Sequence, residues 1–132
     1  MIRFADTYFY LAVLNARDPA HKRAVDVSRA FRGRVVTTEF VLLELADAMA
    51  PPPARQAFGR FYSSLRADPG LEIVGASADL WERGRRLYDG RPDKYWSLTD
   101  CTSFVVMGDQ GITEALTGDH HFEQAGLIAL LK

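Results

Sequence analysis

The amino-acid sequence predicts an α/β fold in which a mostly parallel sheet is covered by helices on both faces. Three observations carry that expectation. Short apolar segments with strand character alternate with longer segments of helical period. Caps and Pro or Gly stops punctuate nearly every junction between them. At 132 residues and 48% hydrophobic, without internal repeats or low-complexity linkers, the chain has the size and apolar content of a single domain around one core.

Ile2 to Ala5 reads as a short buried strand, and a helix from Thr7 to Leu14 starts at once, stopped by Asn15 and the Asp18-Pro19 pair. A second helix runs from about Pro19 to Phe31, with Ala24, Val27, Ser28 and Phe31 on its apolar side and Pro19 suited to the first turn. Gly33 breaks it, and Arg34 to Thr37 is the second strand. Thr37 or Thr38 can cap a helix to Met49 that is apolar almost all round and is therefore expected to be buried. Pro51-Pro52-Pro53 ends that helix and opens another, whose stripe is Ala54, Ala57, Phe58, Phe61, Tyr62 and Leu65. That stripe suits either the sheet or a partner helix.

Asp68-Pro69-Gly70 turns into a strand from Leu71 to Val74. Ser77 caps a helix with Leu80, Trp81, Gly84, Leu87 and Tyr88 on one side. After the loop Asp89 to Lys94, Ser97-Leu98-Thr99-Asp100 forms a capping box that opens a helix to Met107. Gly111 to Leu116 is expected as a strand, Asp119 to Gln124 as a short helical turn and Gly126 to Leu131 as the last strand.

Composition removes several classes of function. No apolar run approaches the roughly 20 residues of a membrane helix, and the N-terminal apolar stretch is interrupted by Asp6 without a small-residue cleavage site, so neither a membrane span nor a signal peptide is expected. Cys101, the only cysteine, reads as a small core residue of a reduced, cytoplasmic protein. The net charge of −1 and pI near 6.3 argue against nucleic-acid binding through a global positive field. Positive charge is local instead: Arg83, Arg85, Arg86, Arg91 and Lys94 cluster between Trp81 and Trp96, as a basic rim for a polyanion or as a solvated helix face. A glycine-rich phosphate loop is absent.

Four acids stand where such a fold puts its chemistry, at strand ends or on the helix that follows: Asp6, Glu44, Asp100 and Asp119. Asp6, Asp100 and Asp119 also suit helix N-termini as caps. Glu44 is the discriminating residue, because it lies more than a turn inside its helix among Phe40, Val41 and Ala48, where an uncompensated carboxylate is costly. Asp47, three residues on, can share its site or point to solvent. Carboxylates kept together need a hard divalent cation, and an oxygen-only donor set favours Mg²⁺ or Mn²⁺ over zinc. Thr7, Thr99 and Thr117 stand beside three of the acids as hydroxyl donors, or as ordinary cap and strand-end residues. His120 and His121 are adjacent on a turn and expected to point apart, as surface or packing residues.

Taken together, Phe4-Ala-Asp-Thr7, Asp18-Pro19 with His21, Thr37-Thr38 leading to Glu44, Lys94-Tyr-Trp-Ser-Leu-Thr-Asp-Cys101 and Leu116-Thr-Gly-Asp-His-His-Phe122 resemble the PIN domain, in particular the single-domain VapC-type toxin ribonucleases. The resemblance spans nearly the whole chain. It implies a three-layer α/β/α sandwich, Asp6, Glu44, Asp100 and Asp119 as an acidic quartet, and Mg²⁺- or Mn²⁺-dependent endoribonuclease activity. Homodimers and a small antitoxin protein that blocks the site are implied as well. Tyr8 departs from the pattern, since many members carry a small polar residue there.

The expected mechanism has Asp6, Glu44 and Asp100 holding one divalent ion, with Asp119 completing a second site or orienting the attacking water on the RNA phosphodiester. Three other readings compete with it. An Asp-nucleophile phosphatase of the haloacid dehalogenase type needs a second Asp two residues after the first, where this chain has Tyr8, and a receiver domain needs a strand-end lysine that is missing. A non-catalytic module would use the acidic pit to dock a partner's arginine.

Overall fold

The computed structural model describes residues 1–132. In chain order it contains β1 (Ile2–Ala5), α1 (Thr7–Leu14), α2 (His21–Ala30), β2 (Arg34–Thr38), α3 (Glu39–Ala48), α4 (Ala54–Ala67) and β3 (Leu71–Val74). Next come α5 (Ala78–Gly90), α6 (Leu98–Gln110), β4 (Glu114–Leu116), α7 (His120–Gln124) and β5 (Ile128–Ala129). The five strands are all parallel, in the order β3-β2-β1-β4-β5. Parallel neighbours require crossover helices, and the helices cover both faces as an α/β/α sandwich. The order reverses between β1 and β4, so the crevice at the carboxyl edge of those two strands is where an open parallel sheet receives a ligand.

Strands buried on both faces read as continuous apolar runs. Phe4, Ala5, Val36, Ala115 and Leu116 accordingly form the middle of the core with Val41, Leu45, Met107 and Phe122, each at most 2% exposed. Burying a side chain such as Phe4 or Leu45 contributes about 1.5–3 kcal/mol. Trp96, Phe104 and Phe122 continue this core as an edge-to-face series with centroids 5.1 and 5.0 Å apart. Each such contact adds about 0.5–1.5 kcal/mol beyond area burial, and this one fixes α6 against α7.

Several boundaries move for local reasons. β4 begins at Glu114, three residues later than the pattern suggests, because Gly111 takes a left-handed conformation (φ 67°) to end α6. β5 shortens to Ile128–Ala129. α3 is not buried all round: Val41, Leu42 and Leu45 face the core, whereas Leu43 is 58% exposed. On α5, Leu80 and Gly84 are buried but Trp81 and Tyr88 face solvent. The α4 stripe is half-buried, with Phe61 set edge-on against Tyr10 at 5.4 Å, so much of it serves the core.

Gly84 marks the closest approach of α5 to α6. A Cβ there would lie 2.6 Å from Thr102 Cγ2 and 3.3 Å from the Thr102 backbone nitrogen. Gly84→Ala should therefore lower the midpoint of urea unfolding, because overpacking costs about 1–3 kcal/mol and outweighs the roughly 1 kcal/mol that alanine gains in a helix.

Candidate active site

Asp6 follows β1 directly and caps α1, a position that fixes its carboxylate at the mouth of the β1/β4 crevice. It is 4% exposed. The Thr7 amide donates to Asp6 Oδ1 at 2.7 Å, and the Thr117 hydroxyl, at the end of β4, donates to Oδ2 at 2.9 Å. Burial, with the neighbouring Asp100 second, raises the Asp6 carboxyl to about 7 against the opposing pull of both hydrogen bonds; Asp119 adds to the rise.

Asp100 arrives from α6 through the expected capping box. Its Oδ2 accepts from the Ser97 amide at 3.0 Å, while the Ser97 hydroxyl accepts from the Asp100 amide at 2.9 Å. Asp100 Oδ1 has no hydrogen-bond partner. Burial is the main cause that raises this carboxyl too, partly offset by the Ser97 amide and His121. Asp119 caps α7 through the His121 amide at 2.9 Å, and its own amide donates to Thr117 Oγ1 at 3.0 Å. Thr117 thus ties Asp6 to Asp119 through one hydroxyl.

His121 belongs to this group, contrary to the expectation that the paired histidines point apart. Its Nδ1 lies 3.0 Å from Asp100 Oδ2 and 3.5 Å from Asp119 Oδ1, which fits the Nδ1–H tautomer donating to Asp100. His120 Nδ1 is 3.6 Å from Asp119 Oδ1, and the two imidazole centroids are 4.5 Å apart. The cause is the cap itself, which folds the Asp119 carboxylate back over the first turn of α7 and within reach of both rings. Donor atoms of Asp119, His120 and His121 lie within 4.8 Å of one another.

Glu44 makes no hydrogen bond or ion pair with this cluster. Half-buried on α3, it lines a cleft of about 220 Å³ with Asp47, Phe40, Trp81, Leu98 and Thr99. Thr99, on the wall of that cleft, precedes Asp100 on α6, so the two sites lie along the same helix start.

Of the three threonines read as hydroxyl donors to carboxylates, only Thr117 is one. Thr7 supports Asp6 through its amide, and its hydroxyl sits 3.5 Å from the Val41 carbonyl because the helix start turns it toward α3. Thr99 bonds no carboxylate; its carbonyl accepts from the Thr102 hydroxyl at 2.7 Å. Tyr8, the departure from the family pattern, lies over Gly118 in the loop between Thr117 and Asp119. A Cβ on Gly118 would come within 2.5 Å of the Tyr8 ring, so a glycine is what lets the ring cover that loop. Cys101 is buried and free, with its thiol pushed up to about 11 by burial and then by Asp100, the state of a core thiol.

The basic rim is mostly neutralised. Arg83 makes two 2.6 Å hydrogen bonds to Asp109, Arg85 pairs with Asp89 at 3.1 Å, and Arg91 holds Asp93 at 3.0 Å. Arg86 is exposed and outside these pairs, and Lys94 approaches Asp93 only to 3.9 Å.

The PIN domain family matches residues 3–127. The chain is 28% identical over 125 residues to a protein of Mycobacterium tuberculosis described as the 23S rRNA-specific endonuclease VapC20, covering 95% of each. The crystal structure of that organism's VapC20, described as a sarcin-ricin loop cleaving toxin, superposes with a TM-score of 0.87 at 27% identity over 97% of both chains. VapBC2 from Rickettsia felis, solved with a DNA fragment from its promoter, shares the fold with a TM-score of 0.68 at 14% identity, covering 98% of this chain and 97% of that one. No helix is long and apolar enough to cross a membrane.

Proposed function

Because the chain belongs to the PIN-domain family, we propose that it is a divalent-metal-dependent endoribonuclease acting as the toxin of a toxin–antitoxin pair, with residues 1–132 forming one nuclease domain. The observation that carries this reading is the convergence of Asp6, Asp100 and Asp119, from three separate elements, on one crevice whose buried Asp6 is held at about 7. Carboxyls raised first by burial and then by a neighbouring acid are short of positive charge, and a divalent cation supplies it.

Asp6, Asp100 and Asp119 would hold that ion with Glu44 completing the set. When bound, a divalent ion makes water a competent nucleophile near neutral pH and offsets charge on the scissile phosphate. The Thr117 hydroxyl orients Asp6 and, through the Asp119 amide, fixes the spacing of the two carboxylates. His121 Nδ1 holds Asp100 Oδ2, leaving Oδ1 free to face the reacting groups. The 28% identity to a 23S rRNA endonuclease across most of both chains makes ribosomal RNA the first substrate to test, and the toxin reading implies a small antitoxin protein as partner.

Purified protein freed of any partner should cut ribosomal RNA with Mn²⁺ or Mg²⁺ and stop on addition of EDTA. Cleavage that persists through chelation would sink the metal mechanism.

A further inference from the structure

Beside the carboxylate group lies a second concavity that the chemistry above does not use. It is a cleft of about 540 Å³ between the end of α5 and the start of α6, walled by Tyr88, Arg91, Lys94, Tyr95, Trp96 and Cys101. Resting on the ribonuclease reading, the geometry points to this cleft as the seat of one unpaired nucleotide next to the scissile phosphodiester, with the base stacked on Tyr95.

Tyr95 is 91% exposed, the most exposed aromatic side chain of the molecule. It adds nothing to the core, yet its surroundings are fixed. Trp96, the next residue, is 6% exposed, donates its indole N–H to Gln124 Oε1 at 3.1 Å and sits edge-on to Phe104. The backbone that carries Tyr95 is therefore anchored while its ring stands in water. An exposed aromatic on a rigid base is a stacking platform, and it favours unpaired bases because those in a duplex already have both faces covered.

The charge beside it suits a nucleotide. Arg91 lies 5.3 Å over the Trp96 ring and engages both Asp93 oxygens at 3.0 Å, which largely cancels Asp93. Asp89 is likewise held by Arg85. Lys94, 5.9 Å from the Trp96 ring and beyond hydrogen-bond reach of Asp93, is left as the local positive charge for a phosphate. Position supports the case: Cys101 on the cleft wall follows Asp100, so the cleft adjoins the turn of α6 that carries one of the carboxylates.

The test uses the intact protein with Mn²⁺ and a synthetic RNA spanning the position it cuts in ribosomal RNA, together with copies carrying one abasic nucleotide at each place in turn. Wild type should lose about tenfold in kcat/KM for one abasic position beside the cut. Tyr95→Ala should lose about tenfold on the intact RNA and be indifferent to that abasic position, whereas Tyr95→Phe should stay within about twofold of wild type. Unchanged melting of both variants is expected from so exposed a side chain. Wild-type cleavage on intact RNA by Tyr95→Ala would overturn the subsite and leave the ribonuclease reading standing. A Tyr95→Phe loss as large as that of alanine would overturn stacking, and a wild type that cuts no RNA with any divalent metal would overturn the ribonuclease reading and the subsite together.

Discussion

Asp100→Asn should cut RNA at least about a hundredfold more slowly than wild type while remaining folded. The substitution keeps the shape of the side chain, and its amide oxygen can still accept from the Ser97 amide, so the capping box survives. What it removes is charge at Oδ1, the oxygen without a hydrogen-bond partner. The loss should appear in kcat at saturating Mn²⁺ as well as in the metal concentration needed for half-maximal rate. A matched Glu44→Gln protein, expected to fall by a similar factor, decides how far the site extends. Wild-type rates from it would confine the site to Asp6, Asp100 and Asp119 and give Glu44 to the neighbouring cleft alone.

The second large effect is on stability. A carboxyl whose folded pKa is raised, as that of Asp6 is to about 7, keeps its proton in the folded chain over a range of pH where the unfolded chain has released it. Its stabilising contribution is complete below the ordinary carboxylate value, is lost as pH rises through about 7, and is flat above that. Over that window the metal-free protein should lose up to about 4 kcal/mol through this one residue. Urea unfolding in EDTA between pH 4.5 and 8.5 should show wild type and Asp6→Asn converging at the acid end, with the variant the more stable at the alkaline end. Adding Mn²⁺ should restore wild type at pH 8 and help the variant less, because only a ligand bound to the folded state stabilises it. Parallel pH profiles for the two proteins would show that Asp6 is not the strained group.

How much of this was legible in the sequence depends on the range of the interaction. Asp6, Asp100 and Asp119 could be placed because each is also a cap, and caps announce themselves through neighbours within three residues. Thr117 was readable for the same reason. The direction of the Thr7 and Thr99 hydroxyls was not, since α3 and the first turn of α6 decide it. His121 was misjudged by applying the divergence of adjacent side chains to a turn whose cap draws its carboxylate back over both rings. The Arg83 partner lies 26 residues away at Asp109 and could not be foreseen, whereas the Arg85 and Asp89 pair, at i and i+4, was there to be read. Trp81 and Tyr88 fit the apolar period of α5 but are left outside, because the close approach at Gly84 narrows the strip of that helix facing α6.

The hydrogen bond from Thr117 to Asp6 joins residues 111 positions apart. β1 precedes its neighbour β4, and the cap that sets Asp119 and His121, by most of the elements of the fold. A piece holding only β1, β2 and β3 with their helices would lack Asp100 and Asp119. Pairing β4 against β1 is what brings Thr117 to Asp6, so whatever separates those two strands dismantles the carboxylate group together with the sheet.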